Sequence, residues 1–216
     1  MRQADSSCGG SPLAPGDCAL VLLASGLSRR FGGDKLLAPL AGAPLLARAA
    51  GLLAQWPRNS RLAVVGRDQP ARRTLLQAHG WTLIDNARPE LGQGHSLALA
   101  AQALQAGPFV AAVVCLADMP QIVDAHVLQL IDCYRDGAAG VVSAIRGGLG
   151  GPPALLPRSQ FAAMAALTGE GGARRLLRPP ANTLEVLLPA ADLVDVDTEA
   201  DLLALERQLR SPSRDG

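Results

Sequence analysis

Short apolar runs alternate with amphipathic stretches over almost the whole chain, and that alternation limits the folds open to it. CALVLLA (18–24), RLAVVG (61–66), WTLID (81–85), FVAAVVCLA (109–117) and AGVVSAI (139–145) read as strands. Between them PLLARAAGLLAQW (44–56), PARRTLLQAHG (70–80), HSLALAAQALQAG (95–107) and VDAHVLQLIDCYRDG (123–137) read as helices. Pro44 falls in the first turn of its helix and Gly80 closes the next one. Strands and helices in strict alternation predict right-handed βαβ units. The expected class is α/β, a Rossmann-like three-layer α/β/α arrangement around a mostly parallel sheet.

The rhythm changes between 146 and 194. RGGLGGPPALL (146–156) reads as a turn followed by an extended segment, SQFAAMAALTG (159–169) and EGGARRLL (170–177) as short helices, and TLEVLL (183–188) as a strand. This stretch is expected to elaborate the sheet of one domain spanning 18–210. Residues 1–17, rich in Ser, Gly and Pro, are expected to be a disordered lead-in, and 211–216 a tail. DVDTEADLLALERQLR closes the chain as a helix, with Thr198 as N-cap and Glu199 and Asp201 favouring the helix dipole.

Composition removes several classes. Hydrophobic residues make up 49% of the 216 but aromatics only 3%, so the core must be built from Ala, Leu and Val. A net charge of +1 offers no concentrated basic face, which argues against a nucleic-acid partner. No apolar run approaches the about 20 residues that cross a bilayer. The N-terminus lacks an apolar secretory stretch, so the expected location is the cytoplasm. Cys8, Cys18, Cys115 and Cys133 form no CxxC pair and have no His at zinc-ligand spacing, so reduced thiols are expected.

Lys35 is the only lysine; the other nineteen basic residues are arginine. It follows Ser25-Gly26-Leu27-Ser28-Arg29-Arg30-Phe31-Gly32-Gly33-Asp34, a loop just after the first strand. Glycines there permit close backbone approach and positive φ, and inward-pointing N–H groups make an anion nest. Lys35 and Arg30 suit a polyphosphate held at the carboxyl end of a parallel strand. Neither GxxxxGK[ST] nor GxGxxG fits the spacing. Asp118 follows the longest apolar run, where a carboxylate either holds Mg²⁺ beside a phosphate or merely precedes a helix. Asp195 and Asp197 share one face of an extended segment. Ser96 either caps the helix that follows Gly92 and Gly94 or meets a ligand.

Read as Gly26, Ser28, Arg30, Gly32 and Lys35, the spacing GxSxRxGxxK resembles the signature loop of the MobA-like NTP transferases. Those enzymes activate a phosphorylated metabolite with a nucleoside triphosphate. Further segments follow in family order. VVCLADMPQI (113–122) resembles the family's LADMP segment, LVDVDTEADL (193–202) its closing DIDTPxDL motif, and NARPELGQGHSLALAAQAL (86–104) its base-recognition segment. GGLGGPPALLPRSQF and LTGEGGARRLL resemble the acceptor-side region of the molybdenum cofactor cytidylyltransferase branch. The chain departs from these patterns at Ser25 (usually Ala or Gly), Glu199-Ala200 (usually Pro-Glu), Pro152 (His or Asn in many members) and Glu170 (usually Asp).

The resemblance implies a fold of the nucleotide-diphospho-sugar transferase type. It implies that Leu23, Ala24, Ser25, Gly26, Ser28, Arg30, Gly32, Lys35, Gly94, Ser96 and Asp118 bind nucleotide, and that Asp118 and Asp197 hold Mg²⁺. Arg30, Lys35 and Asp118 would carry the chemistry, with Gly151, Pro152 and Arg174 facing the acceptor, although Arg174 and Arg175 equally suit a solvated face. The implied reaction transfers CMP from CTP to Mo-molybdopterin, giving molybdopterin cytosine dinucleotide and pyrophosphate. A GTP-using guanylyltransferase and a non-catalytic nucleotide- or pterin-binding chaperone stay open as alternatives. A molybdoenzyme recipient is the expected macromolecular partner.

Overall fold

The computed structural model describes residues 13–14, 16–52, 54–134, 138, 140–144, 150–169 and 183–210. Its strands are β1 (Cys18–Leu23), the two-residue pair β2 (Pro39–Leu40) and β3 (Ala43–Pro44), β4 (Arg61–Gly66), β5 (Thr82–Asn86), β6 (Ala111–Leu116), β7 (Gly140–Ala144), β8 (Gly151–Pro157) and β9 (Thr183–Leu187). Its helices are α1 (Leu45–Ala50), α2 (Pro70–Ala78), α3 (Gln93–Ala106), α4 (Asp124–Cys133), α5 (Phe161–Ala165) and α6 (Glu199–Arg210).

Seven strands form one sheet in the order β5-β4-β1-β6-β8-β7-β9, and β2 and β3 pair separately. All neighbours in the large sheet are parallel except β8, which runs antiparallel to β6 and β7. The α/β Rossmann-like architecture expected from the sequence is therefore the one the chain adopts.

Central strands covered on both faces must be apolar throughout. Every residue of β1 and β4 is buried, and all are uncharged except Arg61 at the start of β4. Period-two alternation then divides the core. Cys18, Leu20, Leu22, Ala63, Val65, Val113 and Cys115 meet Leu45 and Leu46 of α1, Leu76 of α2, Leu130 of α4 and Leu202 and Leu205 of α6. Ala19, Val21, Val64, Ala112 and Val114 face the other way, against Leu97, Ala101 and Leu104 of α3 and Phe161 and Met164 of α5. These two faces make the three layers. Burial pushes the thiols of Cys18 and Cys115 up to about 12, so both behave as small core hydrophobes.

Several boundaries differ from the sequence reading. The helix expected over 44–56 stops at Ala50, because Gly51 takes the C-cap. Pro44 is the N-cap of α1 rather than a residue of its first turn. Beyond it, Trp56 leaves the helical path and donates its indole N–H to the Cys18 carbonyl at 2.9 Å. Helix α3 begins two residues earlier than expected, at Gln93, after Gly92 with φ 84°. The 146–194 stretch contributes β8, wedged between β6 and β7, and β9 beside β7. The helix expected over 170–177 lies outside the described residues, as do the 211–216 tail and most of 1–17. Among the described residues no helix is long and apolar enough to cross a membrane.

From β1 the chain steps outward through β4 to β5, then returns to place β6 on the other flank of β1. Leu23 and Leu116 are register partners, so β1 and β6 end side by side. Loops leaving these two strands diverge, and a crevice opens at their carboxyl ends. The segment before α6 completes that edge. The Val196 N–H donates to the Asp118 carbonyl at 2.9 Å, and Val196 is fully buried. Helix α6 starts with a reciprocal cap: the Asp201 N–H donates to Thr198 Oγ1 at 3.2 Å, and the Thr198 N–H donates to Asp201 Oδ2 at 2.8 Å. Asp201 also accepts from the Asp197 N–H at 3.1 Å, so the cap fixes the residue ahead of the helix. Thr198→Ala is expected to lower stability by about 1 kcal/mol, read from urea unfolding followed by circular dichroism.

Candidate active site

The crevice is a cleft of about 650 Å³ bounded by the loop after β1, the Pro89–Gln93 approach to α3, Asp118, and the Asp195–Asp197 segment. The loop leaves β1 in register, since the Ala24 N–H donates to the Val64 carbonyl at 2.8 Å. It then turns through Ser28 (φ 52°) and Gly32 (φ 76°). Phe31 and Leu36 sink into the core and fix its far side. A single 3-10 turn, Lys35–Leu37, follows, and Asp34 caps it by accepting from the Leu36 N–H at 3.1 Å.

That turn aims Lys35 inward. Its Nζ donates to Asp118 Oδ2 at 2.7 Å and to Asp197 Oδ1 at 3.0 Å. Arg30, largely in solvent, donates to Asp197 Oδ2 at 2.9 Å. Burial works against the charged ammonium, but the two carboxylates outweigh it and hold the Lys35 pKa above its ordinary value. Lys35 is therefore fully charged at neutral pH.

Asp118 and Asp197 thus converge on one cation position through oxygen donors, the chemistry of a hard divalent metal site. Among the described residues no three His, Cys, Asp or Glu side chains gather in a way that could hold a metal. Two carboxylates completed by phosphate oxygens and water are what Mg²⁺ usually accepts, so the residues fit such an ion.

A family model described as the MobA-like NTP transferase domain matches residues 20–187. The chain belongs to that family. It is 30% identical over 203 residues to the Purine catabolism protein PucB of Bacillus subtilis (strain 168), covering 88% of this chain and 96% of that one. The Mycobacterium tuberculosis rv0371c homolog from Mycobacterium sp. strain JC1 superposes with a TM-score of 0.74 at 26% identity, covering 90% of this chain and all of the other. Rv0371c of Mycobacterium tuberculosis H37Rv, in its complex with manganese, superposes with a TM-score of 0.66 at 24% identity, covering 88% and 97%. This MobA-like protein is a nucleotidyltransferase.

Of the residues singled out in the sequence, Leu23, Ser25, Gly26, Ser28, Arg30, Lys35, Ser96, Asp118 and Asp197 line the cleft. Ala24 is instead part of the core, and Gly32 shapes the loop away from the cleft wall. Gly94 does not line the cleft either. A Cβ there would stand 2.2 Å from the Gly169 carbonyl oxygen, so the bare backbone serves a close approach of α3 to the 168–169 segment. Because β8 is antiparallel, its first residues, Gly151 and Pro152, lie at the carboxyl edge of β6 but outside the cleft lining. Arg174 and Arg175 fall outside the described residues.

Ser96 does not cap α3. It lies inside the helix, and its hydroxyl joins a buried polar cluster with Ser25 Oγ at 2.8 Å. Asn86, at the end of β5 and fully buried, donates to both hydroxyls at 3.2 Å. Its Oδ1 accepts from the Arg88 N–H at 2.9 Å. The departure at Ser25 is thus matched by a partner set. Asn86 escaped the sequence reading, as did Arg72 of α2, whose side chain is 2% exposed behind the loop. Arg72 lies four residues before buried Leu76, on the same helix face, which is the signal that marks it.

Asp195 lines the same cleft. Desolvation within the cleft, followed by the charges of Asp118 and Asp197, raises its carboxyl pKa above the ordinary 3.8. The native state then holds that proton more tightly than the unfolded chain. Its stabilising contribution is complete below 3.8 and is lost as pH rises through the folded value. In metal-free buffer Asp195→Asn should melt above wild type at pH 7, with the gap closing as pH falls toward the ordinary carboxyl range. A scanning-fluorimetry series across that interval checks it.

Proposed function

We propose that the chain transfers a nucleoside monophosphate from a nucleoside triphosphate to a phosphorylated acceptor, using CTP and Mo-molybdopterin and releasing pyrophosphate. The observation that carries this reading is the convergence of Lys35, Arg30, Asp118 and Asp197 at one end of the cleft. The base and the acceptor rest on the RFGGDKLL loop, the LADMP segment and the GARRLL-like segment, which are similar to the cytidylyltransferase branch. Delivery to a molybdoenzyme belongs to the same reading.

An oxygen of the acceptor's phosphate forms a bond to the α-phosphorus, and the α–β bridging P–O bond breaks as pyrophosphate leaves in line. The acceptor phosphate is ionised at neutral pH, so no protein base is needed. Such chemistry depends on positioning and charge neutralisation. The loop amides, Lys35 and Arg30 hold the triphosphate. Asp118 and Asp197 hold a divalent cation, which when bound neutralises phosphate charge. The manganese complex of Rv0371c supports the use of a divalent ion. Lysine suits the role better than arginine because a compact charge on a flexible stem can leave the carboxylates and follow the phosphates. The Ser25–Ser96–Asn86 cluster, whose two serines line the same cleft, is where the nucleobase would rest.

Lys35→Ala is expected to cut turnover about a hundredfold or more, the scale of losing one charge-stabilising group. The assay is pyrophosphate release. The decisive test of the whole reading incubates the protein with each of the four NTPs, Mg²⁺ and Mo-molybdopterin, and reads pyrophosphate and dinucleotide together. Reaction with GTP alone would replace the base and keep the mechanism. Absence of metal-dependent pyrophosphate release with every nucleotide would refute it in favour of a carrier.

A further inference from the structure

The side of the loop facing away from the cleft is held by one helix. All five N–H donors of Arg72 are used. Nε donates to Asp34 Oδ2 at 2.9 Å and one terminal nitrogen to Asp34 Oδ1 at 2.7 Å. That nitrogen also reaches Ser28 Oγ at 3.4 Å. The other donates to the Ala24 carbonyl at 2.7 Å and the Gly26 carbonyl at 2.8 Å. The carbonyl between them, that of Ser25, accepts from Gln69 Nε2 at 3.4 Å. Gln69 is itself fixed, because its Oε1 accepts from the Gly66 N–H at 2.8 Å.

Three successive carbonyls, those of Ala24, Ser25 and Gly26, therefore point toward the start of α2. In a trans peptide the N–H lies opposite its carbonyl. The N–H groups of Ser25, Gly26 and Leu27 are thereby turned away from α2, and these three residues line the cleft. Consecutive amides facing one way form a concave anion site. Through Asp34, the same guanidinium also grips the cap of the turn that carries Lys35.

We infer that Arg72 and Gln69 are positioning residues: side chains that never reach the cleft but orient its backbone donors and its lysine toward a polyphosphate. This rests on the triphosphate reading above and adds to it the source of the loop's order. Lysine cannot replace Arg72, because a single ammonium does not span two carbonyls and a carboxylate.

The test titrates wild type, Arg72→Lys and Gln69→Leu with inorganic tripolyphosphate in EDTA by calorimetry, and measures KM and kcat for the most active NTP. Each folded variant is expected to weaken tripolyphosphate about tenfold, the scale of a lost hydrogen bond to a charged group, with KM rising in step. Loss of kcat alone, with tripolyphosphate affinity and KM unchanged, would make these residues merely structural and overturn the inference. Gln69, half-buried, keeps the test open if Arg72→Lys does not fold. A wild-type protein that ignores tripolyphosphate would sink the triphosphate reading and this inference together. Tight wild-type binding that both variants retain would sink the inference alone.

Discussion

One ammonium held between two carboxylates organises the molecule. Lys35, Asp118 and Asp197 come from three separated segments, and each needs its own support to arrive. Lys35 needs the turn capped by Asp34, Asp118 needs the end of strand β6, and Asp197 needs the start of α6. With Arg30 the four charges cancel. A divalent cation at the carboxylates would leave the set at a net charge of two positive, with the lysine released toward the incoming anion. In the proposed reaction this ion pair gives way to metal and nucleotide together.

The sheet makes that arrangement possible because its central strands are apolar on both faces and end at the same level. Small side chains matter here. With so few aromatics, the layers pack through Ala, Val and Leu, and α3 lies over β1, β4 and β5. The antiparallel β8 starts at the same edge of the sheet that bears Asp118.

Much of this was legible in the residues. Strand–helix alternation carries the layers, and the spacing around Lys35, Asp118 and Asp197 marks side chains that do meet. Side chains defined by what they touch from behind were not legible. Arg72 looks like half of a solvated arginine pair, and only the helix register shared with Leu76 separates it from Arg73. Asn86 looks like a turn residue, because the two serines that require it are distant in sequence. Ser96 was open between cap and contact, and Gly92, with φ 84°, decided it by starting the helix earlier. Trp56, beyond the end of α1, finds the Cys18 carbonyl, a contact that periodicity does not encode.

The bare Cα of Gly94 carries a mechanical consequence. Helix α3, which bears Ser96, leans directly on the peptide group of Gly169. With no side chain as cushion, the helix and the 168–169 segment meet backbone to backbone. Any side chain at position 94 would drive the two backbones apart, so the helix that carries Ser96 to the cleft is seated in part from outside it.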